Sequence, residues 1–353
     1  MKHIYILYTG GTIGMERGKK GALIPSRKFL RQIIERLRID KHFRIKHTFF
    51  ALDSLLDSSN IKQKNWVIMT NHIKQNYSKF DGFVVIHGTD TMAFTASALS
   101  FLLQNLNKPV VITGSQLPIV NFRTDGINNI VDSIKVATLD IPEVVLCFGS
   151  FIYRGSRVQK THSDDFQAYD SPNFHHLGHI GINININKYL LNKKTNKKLE
   201  TLKTYVNKNI FVYTVLPEDN SKYLEHINTL KIDALILDGY GVGNVPSDKP
   251  FLDIIKKISN NGALVISNTQ CLYGRVDLST YETGRELEDL GILESADMTL
   301  EAIYTKVCFL LNKYKDKKTI RKKFKENIVG ELTPYDTVIH DEFSNLIPAI
   351  WCS

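Results

Sequence analysis

The chain has 353 residues, 43% of them hydrophobic and 23% charged, with a formal net charge of +9. That length and balance fit a soluble globular protein with room for two domains. No apolar run approaches the roughly 20 residues needed to cross a bilayer, which excludes a membrane-spanning chain.

The positive charge raises the question of nucleic acid. It gathers at Lys193, Lys194, Lys197 and Lys198 and again over 313–325. No aromatic-interleaved RNA motif or recognition-helix pattern accompanies it, so these clusters read as solvated surface and no nucleic-acid partner is expected. The four cysteines, Cys147, Cys271, Cys308 and Cys352, are scattered without a C-x-x-C pair. Neither a disulfide framework nor a thiolate metal site follows, and a reducing compartment fits best.

In chain order, residues 3–8 form a short apolar strand that the Gly10-Gly11 turn stops before any export signal could form. Directly after it stands Tyr8-Thr9-Gly10-Gly11-Thr12-Ile13-Gly14, at the strand end where a parallel α/β sheet gathers its ligands. Adjacent glycines let the backbone turn sharply and bring N–H groups close to a ligand, while Thr9 and Thr12 supply hydroxyls. The spacing departs from G-x-G-x-x-G and no G-K-[ST] follows, so a nucleotide turn is disfavoured. A tight turn with polar fill is the plain alternative.

A second strand, 82–86, runs into His87-Gly88-Thr89-Asp90-Thr91-Met92. There an amphipathic helix over 91–106 begins, marked by Phe94, Ala98, Phe101, Leu102 and Leu106 at helical spacing. Thr89 or Asp90 could simply cap that helix. A second polar strand end in the same sheet as Thr12 also suits a shared cleft. Further strands at 109–113 and 143–148 complete a mostly parallel sheet.

The polar stretch RVQKTHSDDF, 157–166, carries Lys160. By spacing alone an exposed lysine is the ordinary outcome. A lysine buried beside a threonine instead has its pKa lowered and can accept a proton, with Asp90 available to hold it. His162 with Asp164, and His175, His176 and His179, match no zinc pattern, and no G-x-S-x-G elbow occurs. Cys271 has no partner in sequence that marks it as a nucleophile.

Beyond residue 183 the pattern dissolves into Lys/Asn/Thr-rich sequence. It resumes with strands at 210–215 and 234–237, a helix at 251–259, a strand at 264–267 and helices to the end. The expected organisation is a larger N-terminal α/β domain over 1–188, a linker over 189–209 and a smaller C-terminal α/β domain over 210–353.

With these segments in order, the chain resembles the bacterial-type L-asparaginases, specifically the cytoplasmic type I branch. TGGTIG (9–14) and HGTDTM (87–92) carry the likeness, with LDSS (56–59), VITGSQLP (111–118), Lys160 with its following THSDDF, and YGVGN (240–244). The resemblance implies an amidohydrolase that converts L-asparagine to L-aspartate and ammonia through a threonine nucleophile and an acyl-enzyme, without metal or organic cofactor. It implies Thr12 as the nucleophile and Thr89, Asp90 and Lys160 as a second, proton-relaying triad. Ser58 and Asp90 would hold the α-carboxylate and α-amino groups of the substrate, with Asp57 and Ser59 nearby, Thr89 at the reacting centre and Asn244 supplied by a partner subunit. Intimate dimers, often paired into tetramers, are implied as well.

Two departures from the family pattern stand out. A tyrosine common on the loop after TGGTIG is missing over 15–29, where Ala22 or Leu23 holds the approximate place. An arginine that binds effector asparagine in some type I enzymes is replaced by Asp238. A carboxylate does not pair with the effector's carboxylate, which implies weak or absent homotropic activation. The competing readings are an amidase acting on glutamine or on an amide carried by a larger molecule, and a non-catalytic amino-acid sensor.

Overall fold

The computed structural model describes residues 1–18, 21, 23–217, 221–279 and 281–334. Ala22 and Cys352 lie outside them, as does everything from residue 335 onward. The first half runs β1 (His3–Gly10), a hairpin of β2 (Met15–Arg17) and β3 (Leu23–Pro25), α1 (Arg27–Arg36), α2 (Ile39–Phe43), β4 (Lys46–Leu56), α3 (Gln63–Asn76) and β5 (Gly82–Ile86). It continues through α4 (Met92–Leu102), β6 (Val110–Thr113), α5 (Gly126–Val136), β7 (Val144–Phe148) and β8 (Phe151–Arg154). A small hairpin of β9 (Gln159–Lys160) and β10 (Tyr169–Asp170), then β11 (Gly178–Ile180) and β12 (Ile184–Ile186), complete it. The second half holds β13 (Ile210–Thr214), α6 (Ser221–Thr229), β14 (Ala234–Gly239), α7 (Lys249–Asn260), β15 (Leu264–Thr269), α8 (Glu282–Asp289), β16 (Leu293–Glu294), α9 (Leu300–Lys313) and α10 (Lys317–Lys325).

The large sheet has the order β12-β11-β8-β7-β6-β5-β1-β4. Its five strands from β7 to β4 are parallel, whereas β8, β11 and β12 join antiparallel. The central strands β5, β6 and β7 are buried at every residue, as strands covered on both faces must be. One face packs on α3 and α4 through Met69, Ile73, Ala96 and Leu99, the other on α1 and α5 through Leu30, Ile34, Ile130 and Ile134. The second sheet, β13-β14-β15-β16, is wholly parallel.

The two halves share a core along α4 and α9. Phe101 stacks on Phe309 with ring centroids 5.9 Å apart, and Ser97 Oγ lies 2.7 Å from Thr305 Oγ1. Between the halves the lysine-rich stretch is an extended strap. Thr195 N donates to Asn107 Oδ1, Asn192 Nδ2 donates to Val329 O, and Glu200 bridges Gln104 backbone to backbone. Its lysines are mostly exposed, and Lys194 pairs with exposed Asp140.

Several sequence expectations are corrected. The helix foreseen over 91–106 ends at Leu102, because Leu103 leaves helical geometry and Asn105 sits at φ +63, a left-handed conformation asparagine tolerates. Leu106 is nevertheless buried. The terminal helices are interrupted by β16. Strand β4 went unread because it is an edge strand of alternating exposure rather than an apolar run. Cys147 and Cys308 are buried free thiols and Cys271 is an exposed one. No helix among the described residues is long and apolar enough to cross a membrane.

Candidate active site

Three adjacent strands, β4, β1 and β5, deliver their C-terminal ends to one place. Glycine makes the convergence possible. Gly11, at φ +92, has no room for a side chain, since a Cβ there would lie 2.4 Å from the Gly88 Cα. The backbone before Thr12 therefore touches the backbone before Thr89. A Cβ on Gly88 would in turn meet Ser58 Oγ at 2.6 Å, so the loop after β4 closes on the same point. Any L-side chain at either glycine would push these loops apart.

Thr12 opens a short 3-10 turn, Thr12–Gly14, and is partly exposed. The turn is stitched from both sides, Ser26 N donating to Gly14 O and Ile119 N to Ile13 O. Beneath it the buried Tyr8 hydroxyl has no hydrogen-bond partner among the described residues, and burial holds its pKa far above the ordinary phenol value.

Thr89 is buried while the Asp90 side chain is 59% exposed. Neither caps α4: the N-cap is Thr91, whose hydroxyl donates instead to Ser58 O at 2.7 Å. The Lys160 side chain is only 21% exposed, and its Nζ donates to Thr89 Oγ1 at 3.1 Å and to Asp90 Oδ1 at 3.0 Å. The lysine thus occupies the cleft rather than solvent. Asp90 N donates to the buried Ser58 Oγ at 3.2 Å, and Asp57 Oδ1 accepts from Ser59 N. Asp57 and Ser59 are exposed at the rim.

The turn carrying Thr89 rests on a buried polar chain. Trp66 Nε1 donates to Thr95 Oγ1, whose hydroxyl faces His87 Nε2 at 3.1 Å, and His87 Nδ1 donates to Gly88 O at 2.7 Å. Burial pushes the His87 pKa down to about 4, so the ring is neutral and needs one donor and one acceptor, which this chain supplies.

Sequence reasoning missed Tyr169. It pairs with Lys160 in the β9–β10 hairpin, and its buried hydroxyl donates to Thr89 O. No motif marks it; only the fold brings it under the threonine. His176 pairs with Asp170 and packs edge-on against Phe151. Asn244 stands apart from this group in sequence, in the turn after β14, where it bridges Tyr240 backbone to backbone. One chain therefore brings together Thr12, Ser58, Thr89 and Asp90 from three strand ends and Lys160 from the β9–β10 hairpin, flanked by Asp57 and Ser59.

Two family models match. That described as asparaginase, N-terminal, covers residues 3–192, and that described as glutaminase/asparaginase C-terminal domain covers 209–324. L-asparaginase 1 of Escherichia coli strain K12 is 40% identical over 339 residues, covering 95% of this chain and 99% of the relative. The crystal structure of L-asparaginase I from Vibrio cholerae superposes with a TM-score of 0.86 at 36% identity, covering 94% of this chain and 99% of that one. The thermostable L-asparaginase from Thermococcus kodakarensis follows at a TM-score of 0.84 and 30% identity, covering 94% and 99%.

Proposed function

The chain belongs to the asparaginase family, and from that premise we propose that it hydrolyses L-asparagine to L-aspartate and ammonia, with Thr12 as nucleophile and Thr89, Asp90 and Lys160 as the proton relay. The observation that carries the assignment is the ammonium of Lys160 lying 3.1 Å from Thr89 Oγ1 and 3.0 Å from Asp90 Oδ1, on a turn whose Gly88 abuts Gly11 beside Thr12.

In this reading the Thr12 hydroxyl oxygen attacks the side-chain amide carbon and forms an ester. The Thr89 backbone N–H stabilises the oxyanion, and the proton given up by the Thr12 hydroxyl, relayed through Thr89 and Lys160, reaches the amide nitrogen as the C–N bond breaks and ammonia leaves. Water then cleaves the ester, releasing aspartate and restoring the hydroxyl. The exposed Asp90 carboxylate suits an α-ammonium, while Ser58 and backbone donors suit an α-carboxylate, so a free amino acid is held by both charges before any bond breaks.

Asn244 from a partner subunit, assembly into dimers of intimate dimers, and a cytoplasmic location belong to the same proposal. So does the division into domains over 1–188 and 210–353 joined by 189–209. The chain spans 99% of the E. coli relative, an L-asparaginase by name, which supports free asparagine over an amide on a larger carrier.

The test is ammonia release by the purified protein from asparagine and from glutamine, with Thr12→Ala and Lys160→Ala alongside. Asparagine should be preferred, Thr12→Ala should lose the activity, and Lys160→Ala should keep only a small, measurable fraction of it. One methylene is worth about 1–3 kcal/mol in a pocket, so the asparagine preference should be roughly 10–200-fold. Activity at the parent rate in Thr12→Ala would remove the mechanism.

A further inference from the structure

Lys160 ends a strand of only two residues, so its reach to Thr89 depends on how that hairpin is anchored. Three residues earlier, Arg157 is 2% exposed. Its guanidinium donates in three directions: Nε to Gly330 O at 2.7 Å, Nη1 to Asp297 Oδ2 at 2.8 Å, and Nη2 to Thr333 Oγ1 at 3.1 Å. Its carbonyl accepts from Ser171 Oγ at 3.2 Å, just beyond the opposite arm of the hairpin. All three acceptors of the guanidinium come from the second half of the chain.

Those acceptors are themselves fixed. Thr333 N donates to Asp297 Oδ1 at 2.8 Å, and Gly330 N donates to Asn327 Oδ1 at 2.7 Å. Gly330 sits at φ +90, where a Cβ would lie 2.6 Å from an Arg154 nitrogen. Only Val158, fully buried, and Gln159 separate Arg157 from Lys160. Arg157 closes the turn after β8, its N donating to Arg154 O at 2.9 Å, and β9 begins two residues later, so a shift at Arg157 is passed along a short, buried connection toward Lys160. A planar guanidinium can hold the three acceptors at once, which a lysine ammonium on a flexible stem cannot do in the same geometry.

We propose that Arg157 is a positioning residue for Lys160, gripping Asp297 and the stretch 327–333 so that the second half of the chain sets the distance between Lys160 and Thr89. The inference rests on the relay assigned above. Its test is a double-mutant cycle: kcat and KM for asparagine in Arg157→Lys and Thr333→Val, each in the parent and in a Lys160→Ala background.

Misplacing a catalytic group by about 1 Å costs up to the order of 100-fold, so Arg157→Lys should lower kcat roughly 10- to 100-fold with KM nearly unchanged. With Lys160 already removed, the same substitution should cost less than about twofold, because the two changes act through one group. Thr333→Val, which removes one hydrogen bond at a partly exposed rim, should show a smaller loss with the same dependence on Lys160. It decides the matter if Arg157→Lys does not fold. Equal losses in both backgrounds, or a parent-like kcat, would overturn the inference and leave the relay standing. A Lys160→Ala enzyme at the parent rate would remove the relay and this inference together.

Discussion

Glu301 gives the chain a pH-dependent weakness that can be read in advance. It lies in the first turn of α9, buried, with Oε2 lacking a hydrogen-bond partner among the described residues. Burial raises its pKa from 4.5 to about 7, against the opposing pull of its own backbone N–H and the Thr299 side chain. Between those two values the folded chain binds more protons than the unfolded one, so stability falls as pH rises. The contribution is fully present below about pH 4.5 and is lost by the time pH has passed about 7. At 1.36 kcal/mol per pKa unit the loss comes to about 3 kcal/mol. Glutamine has the shape of protonated glutamate and does not titrate. Glu301→Gln should therefore match the parent at about pH 4 and exceed it by about 3 kcal/mol above pH 8, read as the difference in urea unfolding between the two proteins. A difference that does not change with pH, or that favours the parent at high pH, would refute the reasoning.

The buried pair Lys306–Glu331, 2.6 Å apart with both side chains wholly inaccessible, should be intolerant of losing one member. Lys306→Met should cost about 3–5 kcal/mol, measured by thermal unfolding. Tyr8→Phe should leave stability equal or slightly higher, since it removes an unpartnered hydroxyl whose burial costs about 1–3 kcal/mol. Destabilisation by more than about 1 kcal/mol would mean that the hydroxyl has a partner. Asp238 already engages Asn268 at 2.9 Å and Thr214 at 3.5 Å, and the rate should rise hyperbolically with asparagine. Sigmoidality that persists in Asp238→Ala would refute the role given to that residue.

Much of the fold was legible because its central strands are continuous apolar runs ending in glycine and hydroxyl residues. The parallel strands β1, β5, β6 and β7 and the second sheet's β13, β14 and β15 could be read that way. Edge strands could not: β4 alternates, and β11 and β12 are three-residue antiparallel additions whose pairing is set by tertiary contacts. At the site, Thr12, Thr89 and Asp90 announced themselves by position after strands. Lys160 was ambiguous by spacing, since nothing local distinguishes a lysine that turns inward. Tyr169 and the grip of Arg157 were invisible, because their partners, the Thr89 carbonyl and residues 297–333, are distant in sequence.

The central claim is that the Thr12 oxygen forms the covalent bond. A reactive asparagine analogue followed by peptide mass spectrometry tests it most directly. One acyl adduct is expected, on the peptide bearing Thr12 and absent in Thr12→Ala. An adduct on Thr89 or elsewhere, or turnover with no adduct on Thr12, would contradict it.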